Sequence, residues 1–320
     1  MRPLDLRQDL DELTTLLAAC FSGDLTSRGR RFREQLISAR QTVSLLSLLG
    51  RFSDTFRHQS GGFVWQEQGR AVAMVTVHRE GPDKTRWTIG SLATHPDYRR
   101  RRLARRLMIR ALEHAREHGA ELCTFFVLAR NAPAHNLCRS LGFRHYDTTI
   151  ELKLEQPPDL QARPAEGYRY RLLNICEWQA RYDLALRETP PAVQAFLPVS
   201  QAKYRLSAVE RLLMRFALRL QHIESHHWAA EHEGQVVGCL HLHARRGPTT
   251  THDLRLVLDP AHSAVLARPL LNLALTIQRE YAEGSTQITV RPASTDLLAL
   301  LKEYGFVGIE AQHWLGVRLR

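Results

Sequence analysis

Two kinds of apolar spacing alternate along this chain, and they do so in the same order twice. In the first half a short strand over 2–4 precedes helical patterns over 10–20 and 30–49. Residue-by-residue alternation then marks a hairpin, 63–66 and 71–77, turning at Gln68-Gly69, and a third strand over 87–94. A helix is expected over 103–118, because Leu103, Leu107, Ala111 and Ala115 fall on one face and Gly119 suits its C-terminal cap. Strand-like runs follow at 123–128 and 149–154. The second half repeats the series: a strand over 168–173, helices over 177–187 and 209–220, and a hairpin, 228–232 and 235–243, turning at Glu233-Gly234. Strands over 253–258, 287–290 and 313–319 complete it. Strands meeting helices in this order predict a mixed α/β fold.

Residues 155–167, EQPPDLQARPAEG, have the composition of a linker and cut the chain nearly in half. Two landmarks recur across it. Leu137 to Phe143 reads LCRSLGF and Leu300 to Phe306 reads LLKEYGF; His95-Pro96 is matched by Asp259-Pro260. The offsets, 143 to 306 and 96 to 260, are 163 and 164 residues. Offsets that agree within one residue indicate a duplicated domain. The expected division is 1–155, a linker 156–167, and 168–320.

At 320 residues each half is long enough to bury its own core. The net charge of +11 is uneven. Residues 1–155 carry 25 Lys and Arg against 17 Asp and Glu, and the remainder 19 against 16. A basic first half attracts polyanions: nucleic acid, an anionic membrane or a phosphate-rich cofactor. Five scattered cysteines without a CxxC pair argue against a disulfide scaffold or zinc ribbon and fit a reducing compartment, so a cytoplasmic location is expected. The N-terminus does not read as a signal peptide, and no apolar run is long enough to span a bilayer.

The informative segment is 91–108, SLATHPDYRRRRLARRLM. A strand ends at Thr94, a turn carries Pro96 and four arginines, and a helix begins near Leu103. Such a junction aims unpaired backbone N–H groups at the positive end of a helix dipole, a site suited to a pyrophosphate. An isolated arginine run reads more simply as a solvated face or a nucleic-acid patch; its placement after Pro96 at a strand–helix junction argues for the cofactor reading. A nucleic-acid role is not favoured, since neither a helix-turn-helix signature nor interleaved exposed aromatics accompany the run.

This segment resembles the cofactor loop of the GCN5-related N-acetyltransferases (GNAT), whose pattern is Val-x-Pro-x-x-Arg-x-x-Gly-x-Gly/Ala. Here, from Thr94 onward, Pro96, Tyr98-Arg99, Leu103-Ala104 and the following Arg105 fit, while Arg100 and Arg102 stand where glycines are frequent. A second segment, Asn131 to Phe143, NAPAHNLCRSLGF, resembles the family's Asn-x-x-Ala-x-x-Leu-Tyr-x-x-x-Gly-Phe. The resemblance implies two tandem GNAT-like domains, each a mixed, mostly antiparallel sheet flanked by helices. It implies acetyl-CoA as co-substrate, held by Leu92, Ala93, Thr94, Arg99, Arg100, Arg101, Arg102, Leu103, Ala104, Arg105, Asn131, Ala134 and Cys138. It implies direct attack of an amine on the thioester, in the opening between strands 87–94 and 123–128, with a backbone N–H near Leu92 holding the oxyanion. Cys138 takes the place of a tyrosine that protonates the leaving thiolate; its thiol either donates that proton or is inert packing. Strand 87–94 has no carboxylate, so Glu80 or Asp83, acting through water, or bulk water itself, would receive the amine's proton.

The second half departs from the pattern. Its counterpart loop has no arginine cluster and no glycine, and Ser294 and Leu301 replace Asn131 and Cys138. It reads as a degenerate copy, shaping a cleft or a pseudo-dimer interface. His222, His226, His227, His232, His241 and His243 cluster there, but no Asp, Glu or Cys completes a set at ligand spacing, so no metal is expected. The 30–49 helix reads as a lid over the cleft rather than a membrane-surface helix, because its apolar stripe is narrow. The expected activity is N-acetylation of a primary amine on a small molecule or peptide. The alternative is a catalytically silent acetyl-CoA-binding regulatory or scaffold protein. Either a monomer, as a pseudo-dimer, or a homodimer suits the tandem layout.

Overall fold

The computed structural model describes residues 1–21, 61–80, 85–174, 176–246, 250–281 and 284–319. The expected helix over 30–49 and Asp83 lie outside the described residues. The chain divides into two units: Met1–Val127 with Asn131–His145 and Trp314–Arg320, and Leu128–Arg130 with Tyr146–His313. By this division most of residues 144–154 falls in the second unit, and the last seven residues fall in the first.

The first unit runs β1 (Arg2–Pro3), α1 (Leu6–Phe21), β2 (Gly61–Glu67), β3 (Arg70–Arg79), β4 (Arg86–Thr94), α2 (Leu103–Glu117), β5 (Leu122–Leu128) and α3 (Ala132–Ser140). Its strands are ordered β1-β2-β3-β4-β5; all neighbours are antiparallel except β4 and β5. Alternation along each strand sends side chains to two cores. On one face α2 places Leu103, Leu107, Met108, Ala111 and Ala115 against Val75, Val77, Trp87 and Ile89. On the other, Leu13, Leu16 and Leu17 of α1 cover Val64, Met74 and Ala93. Leu107 and Met108 are fully buried, and burying each stabilises the unit by about 1.5–3 kcal/mol. The helix ends where the sequence signals: Gly119 adopts φ +83° just beyond its last turn.

The second unit contains β6 (Arg144–Leu154), β7 (Arg169–Leu172), α4 (Trp178–Glu188), α5 (Pro191–Gln194), α6 (Ala208–Leu220), β8 (Ile223–His232), β9 (Gln235–Arg245), β10 (Thr250–Leu258), α7 (Ser263–Gln278), β11 (Gly284–Val290), α8 (Thr295–Glu303) and most of β12 (Val307–Arg318). Strands order β6-β11-β10-β9-β8-β7, and again one pair alone, β10 with β11, is parallel. Leu266, Leu270, Leu271 and Leu275 of α7 pack on Leu240, Leu242 and Leu254. Gly238 eases that approach: a Cβ there would meet the Cδ1 atoms of Leu266 and Leu270 at 3.1 Å, tighter than ordinary contact. Both units are thus mixed, mostly antiparallel sheets flanked by helices. Even an irregularity repeats, since each hairpin shifts register three residues before its turn, at Trp65/Gln66 and at Ala230/Glu231.

Candidate active site in the first unit

β4 carries the first irregularity that shapes the site. Thr76 of β3 faces Gly90, but Met74 faces Ala93. Two residues of β3 therefore span three of β4, which is a bulge. Ser91 takes φ +45° inside it, and the bulge turns the backbone at Ser91 and Leu92 out of the regular ladder. The second feature is a parting of strands. The β4–β5 register runs Arg86↔Leu122, Trp87↔Cys123, Thr88↔Thr124 and stops, although β4 continues to Thr94 and β5 to Leu128. Leu92, Ala93 and Thr94 line the β4 side of this opening.

Past β4, His95 caps a single turn, Pro96–Tyr98, by accepting from the Asp97 N–H at 3.4 Å. Arg99, Arg100, Arg101 and Arg102 follow, all exposed. Arg101 lies over the Tyr98 ring, 4.8 Å from its centroid, and 3.4 Å from the Glu67 carboxylate. Arg99 Nε donates to the Thr94 carbonyl at 3.4 Å. Arg105 of α2 reaches the Ser140 hydroxyl of α3 at 2.8 Å. Arg102 is the N-cap of α2 without a side-chain capping bond, and its backbone is left-handed, φ 60°, ψ 15°; Arg100 likewise has φ 63°. A right-handed helical Arg102 would have kept a glycine unnecessary. The chain instead holds an L-residue in the conformation glycine suits, which strains the loop. The first N–H groups of α2, on Leu103, Ala104 and Arg105, have no partner within the helix, so cationic side chains and helix-end donors lie side by side.

Asn131 caps α3, its Oδ1 accepting from the Ala134 N–H at 3.2 Å. Ala134 is half-buried. Cys138 is 1% exposed, packed in the α2-side core, and burial pushes its thiol up to about 11. It is a protonated thiol in apolar surroundings.

Glu80 is placed by a polar row that sequence reading passed over. On the sheet face that bears α1, His78 lies opposite Thr88, and Thr76 opposite Gly90. The Thr88 hydroxyl donates to Glu80 Oε1 at 2.7 Å and lies 2.9 Å from the Thr124 hydroxyl across the parallel pair. Burial lowers the His78 imidazole below its usual value, against an opposing pull from Glu80, so it is neutral at pH 7. Gly90 leaves this row open; a Cβ there would meet Thr76 Oγ1 at 3.0 Å. The signal for the row was present in the alternation of Thr76, His78 and Glu80 with Val75, Val77 and Arg79. His114, Glu117 and His118 also group within 4.8 Å at the other end of α2, but Arg110 engages Glu117 at 2.9 Å.

The corresponding junction of the second unit shares the parting of strands, since the β10–β11 register stops at Leu254↔Ile288 while β10 runs on to Leu258 and β11 to Val290, but it lacks the bulge and the free arginines. β10 pairs with β9 without interruption from Asp253 to Leu258, so no bulge forms. Arg268, the one arginine of its loop–helix segment, is held by Glu303 at 2.7 Å.

The fold of the first unit is that of an acetyltransferase domain. Residues 12–143, about two fifths of the chain, match the model of the Acetyltransferase (GNAT) family. Among solved structures, it is similar over 99% of its length to a tandem GNAT protein from the clavulanic acid biosynthesis pathway, of which it covers 97%, at 15% identity and TM-score 0.64. A GCN5-related N-acetyltransferase from Sphaerobacter thermophilus aligns with 99% of this chain and 94% of its own, at 15% identity and TM-score 0.65. A GCN5-related glucosamine N-acetyltransferase region of a fungal multi-domain beta-N-acetylglucosaminidase aligns at 14% identity and TM-score 0.64, with 99% of this chain and 38% of that one covered. At these identities the likeness is one of fold. No curated protein matches the sequence.

Proposed function

We propose that the first unit is an acetyl-CoA-dependent N-acetyltransferase acting on a primary amine of a small molecule or peptide. The observation that carries this reading is the conjunction of bulge, opening and cationic loop in one unit. The fit to the co-substrate rests on the donor set. Four exposed arginines adjoin the uncapped N-terminus of α2, and the Thr94 hydroxyl at the end of β4 is buried without a partner. Acetyl-CoA, when bound, supplies an activated acetyl thioester.

The residues of the chain then divide the work. Arg99, Arg100, Arg101 and Arg102, with the N–H groups of Leu103, Ala104 and Arg105, hold the pyrophosphate. The bulge aims the Leu92 N–H at the developing oxyanion. Asn131 and Ala134 shape the pantetheine side. The polar row of Glu80, His78, Thr88 and Thr124 orients the amine, and Glu80 with neutral His78 takes its proton. Cys138 packs the core. The second unit, without bulge or free cationic loop, is a degenerate copy of the same domain, and the protein acts in the cytoplasm.

A second reading draws on Cys138: a thiol buried to 1% is poorly placed to protonate a leaving thiolate, as a silent cofactor-binding module would not need to. Calorimetric titration of acetyl-CoA, followed by thiol-release assays over polyamines, aminoglycosides and basic peptides, separates the two. Binding with turnover supports the enzyme. Binding with no turnover on any amine supports the silent module, and no binding refutes both.

A further inference from the structure

The α4-side sheet face of the second unit changes character along its strands. Ala229, Cys239 and Val257 form one register row across β8, β9 and β10, and pack under Leu184 of α4. The next row on that face is His227, His241 and Arg255, and the one beyond is Ser225, His243 and Asp253. Apolar floor gives way to six polar side chains in two steps. Above them lies a cavity of about 1110 Å³, roofed by Met214 and Leu218 of α6. Counted from the shared hairpin turn, the first unit has Gly62 and Thr76 where the second has His227 and His241. The second unit has therefore been furnished differently.

The charges in this cavity are unbalanced. Arg181, Lys203, Arg215, Arg219 and Arg255 line it, against Glu224 and Asp253, and Glu224 is engaged by Arg246 and by the Tyr281 hydroxyl, each at 2.7 Å. His227 and His241 add no charge at pH 7. His227 and His241 meet Nδ1 to Nδ1 at 2.6 Å, so one donates and the other accepts. Burial lowers His227 to about 4 and His241 well below its usual value. Arg181 is the focus. It reaches from α4 beside the Tyr204 ring, 5.7 Å from its centroid, and its Nε is buried without a hydrogen-bond partner. No carboxylate pairs with it among the described residues. A desolvated guanidinium lacking a counter-ion is costly, and an incoming anion would offset that cost. Leu184, Met214, Leu218 and Ile223 give the same cavity an apolar wall.

We infer that the second unit holds its own ligand site, for an organic oxyanion on an apolar body, anchored by Arg181 over the His227–His241–His243 floor. Carboxylate and phosphate monoester share this chemistry. Octanoate and octyl phosphate, titrated calorimetrically into the full chain, tell the two headgroups apart. Octanol and inorganic phosphate show whether either half of the ligand suffices alone.

The expected result is saturable one-site binding of octanoate or octyl phosphate, undisplaced by coenzyme A. Arg181→Gln should weaken it about tenfold or more, the loss of a charge-assisted hydrogen bond. Arg181→Lys should recover part of it, and Arg268→Gln should leave it unchanged. Absence of saturable binding by both amphiphiles, equal binding by folded Arg181→Gln, or displacement by coenzyme A overturns the inference. Should Arg181→Gln fail to fold, the wild-type chain decides. Octanoate or octyl phosphate must shift the ring resonances of His227, His241 and His243 while leaving His95 in place, and unmoved resonances overturn it.

Discussion

Replacing Arg102 by glycine separates backbone strain from charge in the arginine loop. Arg102 sits at φ 60°, ψ 15°, as the N-cap of α2. Holding an L-residue in the left-handed region costs about 1–2 kcal/mol, and Arg102→Gly removes that cost. Glycine introduces an opposing term, because its unfolded chain is freer by about 0.5–1 kcal/mol. The Arg102 side chain is exposed, and no hydrogen bond or ion pair holds it among the described residues, so little contact energy is lost. The net expectation is a gain of about 0.5 kcal/mol, or about 1–2 °C in Tm for a unit of this size. Arg102→Ala removes the same charge but keeps the strain, so it should not share the gain. Urea unfolding followed by tryptophan fluorescence, with scanning calorimetry, measures both variants. In coenzyme A titrations at low salt the two should lose affinity alike, and the loss should shrink as salt screens the loop. Destabilisation by Arg102→Gly of more than about 1 kcal/mol, beyond the glycine entropy term, would refute the strain assignment. Equal stabilisation by Arg102→Ala would refute it as well.

Arg99→Ala combined with Arg101→Ala should weaken coenzyme A binding strongly, whereas Arg268→Ala, whose arginine is paired with Glu303, should not; equal losses in calorimetry would sink the one-site reading. Glu80→Gln should lower kcat and flatten its acidic pH limb with little change in coenzyme A affinity, and an unchanged profile would remove Glu80 from the proton path. Cys138→Ala should leave kcat within a few-fold and cost about 1 kcal/mol as a small cavity; loss of turnover with normal folding would assign the thiol a chemical role. The second unit should lose stability in acid. His227 is held at about 4 in the fold against 6.5 when free, so between those values the unfolded chain binds a proton that the folded chain does not, and stability falls as pH drops from 6.5 to 4. His227→Gln should blunt that slope in pH-dependent melts, and an unaltered slope would show that other groups set it.

Local chemistry was legible in the sequence, and pairing across distance was not. Helix α2, its glycine stop at Gly119 and the arginine loop could be read because each rests on residues within one or two turns of one another. Both hairpins and the repeated offset were readable for the same reason. The bulge at Ser91 could not be, since it exists only in the count of β4 residues against β3. The opening beyond Thr88↔Thr124 depends on two strands separated by a whole helix. The left-handed backbone at Arg102 ran against the glycine rule, and only tertiary constraint keeps an arginine there.

The histidines of the second unit show the same limit. Their number was plain in the sequence, and their spacing argued against a simple metal set. Only the register of β8, β9 and β10 brings His227, His241 and Arg255 into one row, and only the fold of α4 and α6 above it removes Arg181 from water. The sequence by itself thus determined the fold class, the order of elements and the cationic character of the arginine loop, through short-range propensity and spacing. The tertiary structure decided which polar groups meet, which are desolvated and where the strands part, because these follow from burial and from contacts between residues far apart in the chain.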